Sequence, residues 1–157
     1  MAEPSVVPKA PRRKGRTPDR GRGRCVAPAL YSRHEQPAPA YELYSRGRAM
    51  LHDGHPHAAA LILGRAKLLE PDKASIREAL GRALFMSGRA TRARREFAKA
   101  VALNPSDDYA HFALALACER TGQRQRALGH AKLANALAPG VSDYERVVAR
   151  LSGGGRQ

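Results

Sequence analysis

The sequence predicts an all-α fold, an α–α superhelix in which three helical hairpins stack on one another and a further helix closes the stack. The first observation is a period of 34 residues, which aligns Gly54, Gly88 and Gly122 in one column and Pro71, Pro105 and Pro139 in another. The second is that apolar residues recur between these positions with helical spacing. A period of this length is typical of proteins built from stacked repeats.

The first hairpin is predicted from its helix-ending residues. A helix over residues 40–53 stops at Gly54, because glycine tolerates the positive φ that ends many helices. Pro56 then suits the first turn of a second helix, where its missing N–H has no partner to lose. This helix runs to Leu69, since Pro71 cannot continue it.

The second and third hairpins repeat this pattern with a continuous apolar face on their first helices. Positions i, i+3, i+4, i+7 and i+8 are apolar in both, which predicts one buried face on each helix. In the second hairpin these residues are Ile76, Ala79, Leu80, Ala83 and Leu84, and in the third Ala110, Ala113, Leu114, Ala117 and Cys118. Neither hairpin can bury such a face alone, so the hairpins are expected to stack.

A single helix over residues 142–151 is predicted to cap the stack. Ser142 and Glu145 have the spacing of a capping box, and Tyr144 and Leu151 belong to an apolar face. The last repeat of such a stack would otherwise expose its packing surface. The predicted organisation is therefore a tail over 1–39, repeats over 40–73, 74–107 and 108–141, the cap, and a flexible end over 152–157.

Residues 1–39 are predicted to be a disordered basic tail. They hold seven of the eleven prolines and carry a net charge of +6, from nine basic and three acidic residues. Such a segment has little to bury and much charge. It is either a solvated leader or an arm that contacts nucleic acid or other anions. The candidate contacts are Arg12, Arg13, Lys14, Arg16, Arg20, Arg22 and Arg24.

The composition sets limits on the class of protein. The net charge of +14 favours anionic partners, and nothing in the sequence resembles a secretory signal or a membrane span. The two cysteines do not suggest a disulfide framework, so a cytoplasmic location is expected. There is no phosphate-binding loop, nucleophile elbow or paired-carboxylate motif, so we expect no catalysis and no cofactor.

The repeat resembles the tetratricopeptide repeat over about residues 40–151. In the second unit the resemblance rests on Leu80, Gly81, Leu84, Gly88, Ala93, Phe97, Ala100, Leu103 and Pro105. The first and third units match at the corresponding positions, including Gly47, Leu63, Ala127 and Leu137. Five positions depart from the family pattern: Leu43, Arg77 and His111 stand where a large residue is frequent, Arg46 stands where Leu80 and Leu114 stand, and Ala131 replaces a residue such as Phe97.

The resemblance implies that the first helices of the repeats line a concave groove that binds peptides. Carried over column by column, this groove comprises Tyr41, Tyr44, Arg48, Leu51, His52, Glu78, Arg82, Phe85, Met86, Tyr109, Phe112, Leu116 and Arg120. Arg48 and Arg82 are one period apart and are expected to face each other. A peptide with an acidic side chain or terminal carboxylate would suit them. The Lys and Asn set with which some members hold chaperone C-termini is absent.

Two further basic or metal-binding features have alternative interpretations. Arg89, Arg92, Arg94, Arg95 and Lys99 flank the second helix of the second repeat, either as a solvated face or as a patch for an acidic partner. His52, His55 and His57 have spacings compatible with a metal, although no fourth ligand is near, so no metal site is predicted. The sequence leaves two functions open: a peptide-binding scaffold, and a nucleic-acid-associated protein that uses its tail.

Overall fold

The computed structural model describes residues 39–153 of the chain. This part contains seven α-helices in the order α1 (Pro39–His52), α2 (Pro56–Leu69), α3 (Ala74–Met86), α4 (Ala90–Leu103), α5 (Asp108–Arg120), α6 (Arg124–Leu137) and α7 (Ser142–Gly153). Successive helices pack against each other, and α1 also contacts α3 as α3 contacts α5. The prediction of an all-α superhelix of three hairpins and a capping helix is confirmed for these residues.

The glycine column ends the first helix of each hairpin in the same way. Gly54, Gly88 and Gly122 have φ angles of 77°, 79° and 77°. After Gly88 the N–H of Arg89 donates to the carbonyl of Leu84 at 2.8 Å, which is the long hydrogen bond of a Schellman motif. Equivalent bonds of 2.8 Å close the other two turns. The period of 34 residues therefore reflects a repeated left-handed turn residue.

Two helical glycines allow the helices of a hairpin to approach closely. A Cβ atom at Gly81 would lie 2.7 Å from the ring of Phe97, and one at Gly47 would lie 2.5 Å from Cγ of Leu63. Both large side chains are fully buried, with exposures of 2% for Phe97 and 0% for Leu63. The missing side chains on α1 and α3 therefore leave the volume that the large residues on α2 and α4 fill.

The third hairpin has an alanine at each of the two equivalent positions. Ala115 takes the position of Gly81, and Ala131 takes the position of Phe97; both alanines have 0% exposure. The two methyl groups occupy less volume than the phenylalanine ring, and both are nonetheless completely buried. Ala131, which departs from the family pattern in isolation, is consistent with close packing once its partner is considered.

Arg77 bridges α3 and α4 instead of extending its guanidinium into water. Its Nε donates to the carbonyl of Pro71 at 2.7 Å, and its Nη1 donates to Glu96 at 2.9 Å. Lys67 donates to the other carboxylate oxygen of Glu96 at 2.8 Å. Burial opposes ionisation of Glu96, but the hydrogen bonds and charges of Lys67 and Arg77 outweigh it and hold the pKa of this carboxyl below its ordinary value.

His111 occupies the equivalent place in the third hairpin. Its Nε2 lies 3.0 Å from the carbonyl of Pro105, and its Nδ1 lies 3.1 Å from Nδ1 of His130. His111 and His130 follow Arg77 and Glu96 by one period, so a pair of imidazoles replaces an ion pair. The side chain of His111 is 5% exposed, and these two contacts satisfy both of its ring nitrogens.

The capping helix α7 packs its apolar face on α6 as predicted, with Tyr144, Val147 and Leu151 buried. The predicted capping box is wrong in its details. Val141 holds the N-cap position, because its carbonyl accepts from the backbone N–H groups of Tyr144 and Glu145. Ser142 is therefore the first residue of the helix and lies one position too late to cap it.

The helix α7 extends two residues beyond the predicted cap, to Gly153. A guanidinium nitrogen of Arg124, at the start of α6, donates to the carbonyls of Arg150 at 3.1 Å and Leu151 at 2.8 Å. These bonds satisfy carbonyls that a helix C-terminus leaves without partners.

No helix between residues 39 and 153 has the length and apolar character needed to cross a membrane.

Candidate functional site: the groove of the odd-numbered helices

The helices α1, α3 and α5 lie side by side, and their exposed faces form the surface that we call the groove. Of the residues expected there, Tyr41, Arg48, His52, Met86 and Arg120 are exposed, and Tyr44, Glu78, Arg82, Phe85, Tyr109, Phe112 and Leu116 are half-buried. Leu51 is the exception. It is 4% exposed and belongs to the central core, so its assignment to the groove surface is wrong. Its side chain belongs to the same core cluster as Leu63 of α2 and Leu80 of α3.

The first end of the groove is a cavity with two arginines. It has a volume of about 370 Å³ and is lined by Tyr41, Tyr44, Ser45, Arg48, Ala49, His52 and Arg82. The guanidinium of Arg48 lies 5.7 Å from the ring centroid of Tyr44, within cation–π range. The structure thus brings Arg48 and Arg82 to one cavity, which we call the arginine cavity.

Glu78 lies close to these two arginines, and its pKa shows how this part of the groove affects a carboxyl group. Burial raises the pKa of Glu78, and Asp107 raises it further, while the charges of Arg82 and Arg48 oppose this effect. Burial is the largest contribution, so the site disfavours an ionised carboxylate that does not contact a guanidinium directly. Neither Arg48 nor Arg82 forms a salt bridge within the described residues 39–153.

The middle of the groove combines an aromatic ring with a third arginine. The guanidinium of Arg120 lies 5.0 Å from the ring centroid of Phe85, so α5 reaches across to α3. Met86 follows Phe85 in sequence and is 52% exposed, a large fraction for an apolar side chain. This part of the groove therefore presents apolar surface beside positive charge.

The far end of the groove is lined by aromatic residues and by the capping helix. The ring centroid of Phe112 lies 6.4 Å from that of Tyr109 and 4.7 Å from that of Tyr144. The hydroxyl of Tyr144 donates to Asp108 at 2.8 Å. A cavity of about 410 Å³ follows, lined by Phe112, Leu116, Asp143, Arg146, Val147 and Arg150.

The polar residues of α7 in this cavity were not expected from the sequence. Arg146 pairs with Asp143, and Arg150 donates to Glu119 at 2.6 Å. Arg146 and Arg150 follow Phe112 and Leu116 by one period of 34 residues. Extending the groove columns into the capping helix would have found them.

The remaining predictions fall on exposed or undescribed residues. His52, His55 and His57 are exposed, and the histidine, cysteine and acidic residues of the described part form no group of three that could hold a metal ion. The candidate anion contacts between Arg12 and Arg24, and the predicted disorder of residues 1–39, lie outside the described residues apart from Pro39.

Comparison with known families identifies the class of this fold. A model described as the tetratricopeptide repeat matches residues 44–108 and residues 78–142. Together the two matches span well over half of the chain, and the chain belongs to the tetratricopeptide repeat family. A comparison with curated protein sequences gives no significant match.

Several solved structures share the fold at low sequence identity. The second TPR domain of human RPAP3, in complex with the HSP70 peptide SGPTIEEVD, superimposes with a TM-score of 0.69 at 17% identity, covering 73% of this chain and 95% of that one. The Yersinia enterocolitica type III secretion chaperone SycD, in complex with a peptide of the translocator YopD, gives 0.61 at 17%, covering 71% and 86%. MamA gives 0.70 at 22%, covering 76% and 70%.

Proposed function

We propose that the protein is a non-catalytic scaffold whose groove binds an extended or helical segment of a partner protein. An acidic side chain or a terminal carboxylate of that segment would lie in the arginine cavity. The observation that carries this proposal is the presence of Arg48 and Arg82 in one cavity beside two tyrosines. Guanidinium groups bind carboxylates through paired, charge-assisted hydrogen bonds.

The length and chemistry of the groove favour a peptide over a compact ligand. Polar and apolar elements alternate along it: the arginine cavity, then Phe85 with Arg120, then the aromatic residues Tyr109 and Phe112. A chain segment with one acidic residue and neighbouring apolar side chains would match this order. Each apolar side chain removed from water on binding would add to the affinity.

The structural relatives support the choice of a peptide ligand. RPAP3 and SycD have both been solved with peptides, and three of the last four residues of the RPAP3 peptide SGPTIEEVD are acidic. An acidic segment is consistent with the net charge of +14 of the present chain. Since the Lys and Asn set expected for chaperone C-termini is absent, we propose an acidic segment without assigning it to a chaperone.

The carboxylate of Glu78 competes with a ligand carboxylate for the two arginines of the cavity. Its carboxylate is half-buried near Arg82 and Arg48, so a ligand carboxylate must attract these arginines more strongly than Glu78 does. A ligand that forms direct hydrogen bonds meets this condition, because Glu78 forms no salt bridge with either arginine.

We further propose that the scaffold acts in the cytoplasm without a cofactor, as its sequence suggests.

The first experiment identifies the ligand class. A phage-displayed library of natural protein segments is selected on the full chain and, in parallel, on a chain that lacks residues 1–39. We expect both selections to enrich the same acidic segments with flanking apolar residues. Enrichment of neutral or basic segments by the chain without residues 1–39 would contradict the proposal.

Salt dependence separates this function from binding through the basic tail. Contacts with several phosphates would weaken binding steeply with salt, by about one power of concentration for each phosphate neutralised. An acidic segment held by two arginines and apolar contacts should respond much less. If removal of residues 1–39 abolishes binding of the selected segments, the groove is not their site and the tail is the functional element.

A further inference from the structure

A further cavity, lined by both charged and apolar side chains, lies away from the groove. It lies between α4 and α6, has a volume of about 420 Å³, and has three arginines and a histidine in its lining: Arg94, Arg95, Arg126 and His130. Its apolar lining includes Val101, Leu114 and Cys118. We call it the α4–α6 cavity.

The repeat supplies a natural comparison for this cavity. One period earlier, a cavity of about 400 Å³ lies between α2 and α4 and includes the equivalents of most of the same positions. There the position of His130 is held by Glu96, whose carboxylate accepts from Lys67 and Arg77. The α2–α4 cavity thus contains its own anion, whereas none of the carboxylates of residues 39–153 lines the α4–α6 cavity.

Arg94 is the residue whose position most needs an anion. Its Nη1 atom is buried and has no hydrogen-bond partner within residues 39–153. The equivalent residue one period earlier is Ala60, which has no such requirement. A buried guanidinium N–H without an acceptor destabilises the folded state. Because Arg94 also lines the cavity, rotation of its side chain toward a bound anion would remove this penalty and form a bond.

Arg126 lines the same cavity, and only some of its hydrogen-bond donors are used within the protein. Its Nη1 donates to the side chain of Gln123 at 3.2 Å, which leaves other donors of the guanidinium available. Burial raises the pKa of the Cys118 thiol, while the charges of Arg126 and Arg94 oppose this effect. Both guanidinium groups are therefore close enough to influence the buried thiol.

We propose that the α4–α6 cavity binds a small organic phosphate, with the phosphate against Arg94 and Arg126 and the organic part against Val101 and Leu114. Three arginines without a carboxylate suit a dianion better than a monoanion. The forked donors of guanidinium also match the oxygens of phosphate. The cavity volume lies in the range of small-ligand sites and exceeds what phosphate alone would fill. This site is separate from the groove and does not depend on the proposed peptide binding.

Site-resolved NMR titration of the full chain tests the proposal, because it distinguishes phosphate binding in the cavity from any phosphate binding by the basic residues 12–24. The probes are phenyl phosphate, inorganic phosphate and benzoate. We expect saturable shifts for amides that line the cavity with phenyl phosphate, weaker binding of inorganic phosphate, and the weakest binding of benzoate. Equal affinities of inorganic and phenyl phosphate would contradict the apolar contact, and equal affinities of benzoate and phenyl phosphate would contradict the preference for phosphate.

Matched variants show whether the shifts come from this site. Arg94→Gln and Arg126→Gln should each weaken phenyl phosphate binding at least ~tenfold, as expected for the loss of a charge-assisted hydrogen bond. Arg92→Gln is the control, because Arg92 is the equivalent of Arg126 in the α2–α4 cavity. The inference is overturned if all three variants bind as wild type does, or if Arg92→Gln weakens binding as much as Arg94→Gln.

A fourth variant protects the test against loss of folding. His130→Glu restores the carboxylate found one period earlier and should abolish phenyl phosphate binding while the helical circular dichroism is retained. Retained binding in a folded His130→Glu protein would contradict the idea that the cavity lacks, and therefore recruits, an anion.

Discussion

Gly81 on α3 packs directly against the ring of Phe97 on α4. A methyl group at Gly81 would meet the buried ring at 2.7 Å, so it requires movement of a side chain that is itself enclosed. We expect Gly81→Ala to lower the free energy of unfolding by about 1–3 kcal/mol, since overpacking outweighs the better helix propensity of alanine. Chemical denaturation measures this effect.

Gly64→Ala is the matched control for that substitution. Gly64 is also helical, but a Cβ atom there would meet nothing within 4 Å. The change should raise the free energy of unfolding by ~0.5–1 kcal/mol through helix propensity alone. Stabilisation of similar size by both substitutions would contradict the packing account of the glycine at position 81.

His130 is expected to make stability depend on pH. Burial lowers its pKa from the ordinary 6.5, and His111 and Arg126 lower it further. Between this lowered pKa and 6.5, the unfolded chain binds a proton that the folded chain does not. The free energy of unfolding should therefore fall as pH decreases below about 6.5.

His130→Asn tests this pH dependence. The asparagine amide can donate toward His111 without titrating, so denaturation curves at pH 7 and pH 5 should differ less for this variant than for wild type. His57→Asn, at an exposed position of α2, should retain the wild-type difference. Identical differences in wild type and His130→Asn would rule out His130 as the source.

At the scale of residues, the sequence predicted the turn glycines correctly but not the roles of the departures. Gly54, Gly88 and Gly122 have a local requirement, a positive φ, that the period alone reveals. Arg77 and His111 have partners 19 residues away, Glu96 and His130. A charged residue in an apolar column gives no sign of its partner until the geometry of the hairpin is known.

At the scale of elements, α7 is held by a hydrogen bond as well as by its apolar face. The hydroxyl of Tyr144 donates to the carboxylate of Asp108 on α5 at 2.8 Å, and the tyrosine is 6% exposed. We expect Tyr144→Phe to lower the free energy of unfolding by ~1–2 kcal/mol, the effect of losing a hydrogen bond to a charged group. Tyr41→Phe removes a hydroxyl from a residue that is 60% exposed and should change stability little. Equal effects of the two substitutions would show that Asp108 does not anchor the cap.

The bounds predicted for α1 and α2 agree with the structure to within one residue, because glycine and proline mark their ends. The end of α7 lies two residues beyond its predicted bound, where Arg124 of α6 donates to the carbonyls of Arg150 and Leu151. A tertiary contact decides that boundary, so local sequence signals at Ser152 and Gly153 could not predict it.

At the scale of the whole molecule, the repeat period placed most of the candidate groove. The alignment of equivalent residues predicted that Arg48 and Arg82 lie close together, and both line one cavity. It also assigned the aromatic residues to the odd-numbered helices. The alignment does not show how deeply a side chain is buried, which is why Leu51 was assigned to the surface although it is buried. It also ended at the third repeat, so the contribution of Arg146 and Arg150 became visible only in the structure.

The central claim is that the arginine cavity recognises an acidic group of a peptide. The most direct test is the affinity of a selected acidic segment, measured by fluorescence anisotropy, for Arg48→Gln/Arg82→Gln. The control is Arg65→Gln/Arg95→Gln, which removes the same charge from exposed positions on α2 and α4. We predict at least ~tenfold weaker binding by the first variant, from lost charge-assisted hydrogen bonds. The control should stay within about twofold, because Arg65 and Arg95 lie on even-numbered helices outside the groove and act on the segment only through solvent. Equal weakening of both variants, or of neither, would contradict the claim.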